Sequence, residues 1–165
     1  METSLKFPVG DFERVNKLTE EQRLACIRVI AETPAQLRAA VAGLNDAQLE
    51  TPYRPGGWTV RQVVHHLADS HMNSYVRFRL ALTEDEPTIK TYDEARWAEL
   101  SDAKTAPIES SLKLMDSLHE RWALLLRTFR PNDWTRTFRH PALRFQTSLV
   151  SRIRARCGTP FRCCR

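Results

Sequence analysis

Apolar residues recur every three or four positions along most of this chain, the spacing of helices that each bury one face. Thr19 supplies a capping hydroxyl, and Leu24, Ile27, Val29 and Ile30 predict a first helix through about Ala31. Thr33-Pro34 then restarts the helix, a capping hydroxyl followed by proline at the first helical position, and Leu37, Ala40, Val41 and Leu44 carry it to about Leu44. Asn45 to Leu49 reads as a short helical turn. Thr51-Pro52-Tyr53-Arg54-Pro55-Gly56-Gly57 reads as a rigid, turn-rich loop.

The best-defined helix follows. Thr59 caps it, and Gln62 three residues later completes a capping box. Val60, Val63, Val64, Leu67, His71, Tyr75, Phe78 and Leu82 share one broad face, and Glu84-Asp85-Glu86-Pro87 ends the run. A short helix is expected around Asp93 to Leu100, and Ala106-Pro107 opens another long one. Its apolar face is Leu112, Met115, Leu118, Trp122, Leu125, Leu126 and Phe129, and Arg130-Pro131 closes it. Thr135 to Phe145 holds one or two short extended stretches, and Thr147 begins a last helix that Gly158-Thr159-Pro160 stops. The pattern predicts an all-α fold, a four-helix bundle with crossings near about 20° and a last helix that is truncated or altered. Residues 1–150 form the bundle and residues 151–165 a divergent tail.

Composition changes this picture in one place. The net charge of +5 suggests a nucleic-acid partner until its position is noted. Arg152, Arg154, Arg156, Arg162 and Arg165 lie in the tail with no acid among them; the 20 basic residues that remain match the 20 acidic ones. Cys157, Cys163 and Cys164 crowd the same segment, while Cys26 stands alone in the first helix. The body is therefore neutral, and no nucleic-acid partner is expected. No apolar run reaches the ~20 residues of a membrane span, and Met1 to Gly10 do not form a secretory signal. A cytoplasmic protein with no membrane partner is expected.

The chemistry gathers in Gly56-Gly57-Trp58-Thr59-Val60-Arg61-Gln62-Val63-Val64-His65-His66-Leu67-Ala68-Asp69-Ser70-His71. Helix positions three, four and seven apart share a face, so Gln62, His66, Asp69, Ser70 and Asn73 form one polar stripe at the edge of the core. His66, with polar neighbours able to orient its ring, is the candidate metal ligand. His65 is one residue off that stripe and is expected at the surface. His71 lies among apolar positions and is expected to be a satisfied core histidine. His119, beside Met115 and Leu118, could face inward, and His140 precedes Pro141 in a loop. One histidine gives one ligand, whereas a catalytic zinc site takes about three.

A longer match carries more information. It runs from Thr51 through the stretch above to Met72-Asn73-Ser74-Tyr75, and continues in Arg77-Phe78-Arg79-Leu80-Ala81-Leu82-Thr83-Glu84, Tyr92-Asp93-Glu94-Ala95-Arg96-Trp97 and Phe138-Arg139-His140-Pro141. Over about Phe7 to Pro141 the chain resembles the YfiT group of metal-dependent hydrolases in the DinB superfamily. The resemblance implies a four-helix bundle, often a homodimer, that holds zinc or nickel with three histidines. One ligand falls at the position of His66; the other two form an H-x-x-x-H pair on the last helix. It implies a small-molecule substrate and metal-assisted hydrolysis, or transfer involving a low-molecular-weight thiol, because a bound divalent metal lowers the pKa of water or thiol.

After Pro141 the family pattern stops. The stretch from Arg144 to Arg165 contains no histidine. Its Arg/Cys-rich composition resembles translation in a shifted reading frame; the rival reading makes Cys157 and Cys163 or Cys164 substitute thiolate ligands, across Gly158 and Pro160. The second and third ligands are thus missing, and weakened metal binding with impaired activity is expected. The alternative is a catalytically inactive bundle acting through an interaction surface.

Overall fold

The computed structural model describes residues 17–141, 146–150 and 153. Three long helices dominate it: α1 (Glu20–Val41), α3 (Val60–Thr83) and α6 (Glu109–Arg127). Between them lie the short helices α2 (Asp46–Leu49), α4 (Glu94–Ala98) and α5 (Ser101–Thr105). A 3-10 turn at Asp133–Thr135 leads into an antiparallel hairpin of β1 (Thr137–Arg139) and β2 (Gln146–Ser148), with Phe138 opposite Thr147. Leu149, Val150 and Ile153 then adopt helical conformation and are buried. The rest of the expected tail, residues 151, 152 and 154–165, lies outside the described residues.

The first helix differs from its sequence expectation. It does not restart at Thr33-Pro34 but runs unbroken through them, opened by a capping box between Thr19 and Gln22. Thr33 Oγ1 donates to the Val29 carbonyl at 2.7 Å, so its hydroxyl is spent on the preceding turn instead of capping a new helix. Ile27, Ile30, Pro34, Leu37 and Val41 are all buried in α1. They recur at three- and four-residue steps in unbroken phase, and that packing overrides the local proline signal. Leu24, expected on the apolar face, is 53% exposed. The helix stops at Val41, short of Leu44, where Gly43 takes φ +75°.

The end of the chain also begins differently. Thr147 pairs in the hairpin, so the last helical segment starts after it, at Leu149. The short helix expected around 93–100 is α4, and a second short helix, α5, follows it before α6.

Two apolar clusters fill the bundle. One joins Ile30, Phe78, Trp122, Phe138, Leu149 and Ile153, so the hairpin and the last segment close one end of the three-helix frame. The other joins Leu37, Val41, Val64, Leu67, Leu112 and Met115. Beside the second cluster, the loop before α3 folds back on itself: Tyr53 N donates to the Trp58 carbonyl and Val60 N to the Thr51 carbonyl, both at 3.1 Å. Gly57 is required there, since a Cβ would lie 2.7 Å from Arg54 Cγ and 2.9 Å from the Tyr53 ring. Among the described residues, no helix is long and apolar enough to cross a membrane.

Candidate functional site

The capping box of Thr59 and Gln62 fixes where α3 begins, and therefore which way each later side chain points. His66 is 3% exposed. Helical side chains lean toward the N-terminus, which brings its imidazole to Trp58, the residue before the cap. The two rings lie 4.7 Å apart at 52°. Trp58 is half-buried and forms the wall of the site that the folded loop delivers.

The other members of the polar stripe divide in role. Gln62 Nε2 donates to the Ala98 carbonyl at 2.7 Å while its Oε1 accepts from Thr59 N, so it ties α4 to the start of α3. Asn73 Nδ2 donates to the Asp69 carbonyl of its own helix. Ser70 is buried, and its carbonyl accepts from Ser74 Oγ. Asp69 is half-buried; burial pushes its carboxyl above the ordinary aspartate value, and the negative charge of Asp102 adds to the effect.

His65 is a correction to the sequence reading. It is 8% exposed, not a surface residue. Its Nε2 donates to the Ala106 carbonyl at 3.1 Å, which leaves Nδ1 of the neutral ring to accept from the Ser111 hydroxyl at 2.7 Å. Its partners lie 41 and 46 positions away, across the α5–α6 junction, and no local pattern announces them. His71 is buried in the core as expected, with Nδ1 2.7 Å from Nε2 of His119, which does face inward. His140 is half-buried beyond the end of β1. Sequence reasoning missed Trp58 as a neighbour of His66; its place directly before the cap was the available signal.

Three long helices pack here as a helical bundle, and bundles that carry ligand or metal sites build them from side chains on facing helices. Residues 30–153 match the DinB superfamily, and the chain belongs to it. It is 53% identical over 138 residues to YfiT of Bacillus subtilis, covering 84% of this chain and 78% of that one. A Bacillus pumilus relative is 54% identical over 140 residues, 85% of this chain and 79% of its own. Both relatives are named as candidate metal-dependent hydrolases. A solved structure of YfiT, described as having an unusual four-helix-bundle topology, matches with a TM-score of 0.92 at 47% identity, over 94% of this chain and 89% of that one.

The names of these relatives imply a metal ion. Among the described residues, no group of three or more His, Cys, Asp or Glu side chains is arranged to hold one. His65 is engaged by Ser111 and Ala106, and His71 and His119 by one another. The sequence beyond His140 adds no histidine. Among the described residues, the donors do not fit a three-histidine centre.

Proposed function

We propose that this chain carries the scaffold of a metal-dependent hydrolase or low-molecular-weight-thiol S-transferase, with His66 as its one ligand for zinc or nickel, and that binding and activity are impaired. The observation that carries the reading is the buried placement of His66 on α3 against Trp58, in a chain whose sequence supplies no histidine after His140. One imidazole holds a divalent ion far more weakly than three. The engagement of His65, His71 and His119 inside the fold favours a second reading, a bundle without catalysis that works through an interaction surface. A small-molecule substrate, a homodimeric state and a cytoplasmic location belong to the first reading as proposals.

The test is direct titration of the purified chain with zinc and with nickel. Substitution His66→Ala should remove what weak binding there is, while His65→Ala leaves it nearly unchanged. Equal loss in both variants would place the ligand on the wrong face of α3. No binding by the unaltered chain would leave the inactive bundle as the function.

A further inference from the structure

The middle of α1 lacks a backbone hydrogen bond by covalent necessity. Pro34 has no N–H, so the carbonyl four residues earlier, that of Ile30, loses the donor that the α-helical ladder would give it. Ile30 is buried in the larger apolar cluster. A buried carbonyl left unsatisfied there would lower the folding constant on the order of ten- to a hundredfold.

Another helix supplies the donor. His119 of α6 is fully buried, and its Nδ1 lies 2.6 Å from the Ile30 oxygen. A carbonyl only accepts, so His119 Nδ1 carries the proton, and Nε2 of the uncharged ring must accept. Facing that nitrogen at 2.7 Å is Nδ1 of His71, on α3, which therefore donates. The proton order is set from one end: α3 donates to α6, and α6 donates to α1. The two imidazoles lie edge to edge with centroids 4.8 Å apart and planes 23° from parallel, as a hydrogen bond between their ring nitrogens requires, and Trp122 meets both edge-on, at 6.3 Å from His71 and 5.8 Å from His119.

We propose that Pro34, His119 and His71 form one energetic unit, a histidine strut that replaces the helix hydrogen bond deleted by Pro34 and joins the three long helices. Both nitrogens of His119 and Nδ1 of His71 serve this strut and ligate no metal. It stands whether or not His66 binds an ion, because it rests on the backbone chemistry of α1.

The test is a double-mutant cycle on the full chain, with urea unfolding of Pro34→Ala, His119→Leu and the pair together. Alanine at position 34 restores an N–H four residues after Ile30. His119→Leu should lower the folding constant about ten- to a hundredfold in the unaltered chain, and at least roughly tenfold less when Pro34→Ala is present. Equal losses in the two backgrounds would overturn the strut. Should His119→Leu prevent folding, nitrogen NMR of the histidine rings in the unaltered chain decides. Protonated Nδ1 on both rings with unprotonated Nε2 on His119 supports it; a proton on His119 Nε2 overturns it.

Discussion

His65 and His66 are adjacent in sequence and have different work, because successive helical residues point about 100° apart. One turns to Ser111 and Ala106, the other to Trp58. Removing the His65 ring strands a buried hydroxyl and a carbonyl together. His65→Ala should therefore cost about 1–3 kcal/mol in urea unfolding, with an unchanged response to metal. Asp69 gives a prediction in pH. Burial raises its carboxyl pKa, and Asp102 raises it further, so the folded chain holds that proton more tightly than the unfolded chain does. Its ionisation then opposes folding: the contribution is absent at pH below the unfolded value and grows as pH rises through the raised one. Asp69→Asn should be more stable than the parent at pH 7, with the gap closing as the solution is acidified below the ordinary aspartate range. A gap independent of pH would mean that the gain comes from packing.

At the scale of elements, two arginines each hold two acids, and burial decides which pair matters. Arg38 meets Glu109 and Asp116 between α1 and α6 with all three side chains more than 40% exposed. Water and salt screen such pairs, so Arg38→Ala should leave the urea midpoint nearly unchanged. Arg61 is 8% exposed and binds Glu50 at 2.6 Å, Asp46 at 3.0 Å and the Ala106 carbonyl at 3.0 Å. It pins α2 and the α5–α6 junction onto the first turn of α3, where the site begins. Its guanidinium is held above the usual arginine value chiefly by the Glu50 hydrogen bond, then by Asp46. Arg61→Met should cost about 1–3 kcal/mol and loosen the Trp58 loop, read as faster amide exchange over 51–59. Loss of stability without faster exchange in that loop would separate Arg61 from the site.

At the scale of the molecule, the chain keeps the scaffold of its family, and the proposed loss of the second and third histidine ligands sets what it should bind. A chain of this kind should bind well under one zinc per protomer after dialysis, measured by elemental analysis. The reading frames past Pro141 offer an independent check. A shifted frame behind the Arg/Cys-rich ending should reveal an H-x-x-x-H pair in one of the other two frames, since residues four apart on a helix set two rings toward one ion. Restoring that frame should then give about one metal per chain, lost again with His66→Ala. Without such a pair in either frame, the ending belongs to the protein, and the inactive bundle becomes the better reading.

The sequence by itself determined the extent of α3 and α6, the caps at Thr19 and Thr59 and the stripe that bears His66, because caps and three- and four-residue periodicity act between neighbours in the chain. Thr59 with Gln62 set the register of α3, and Met115, Leu118 and Trp122 set the buried face of α6. Tertiary structure alone decided the rest. Whether Pro34 would break α1 depended on its burial in phase with Ile30 and Leu37, and on His119 reaching the buried Ile30 carbonyl from 89 positions away. Whether His65 would face water depended on Ser111, brought beside it by the packing of α3 against α6. A polar side chain is committed by whichever partner the fold brings within hydrogen-bond reach, and a partner that is far along the chain leaves no mark in the local pattern.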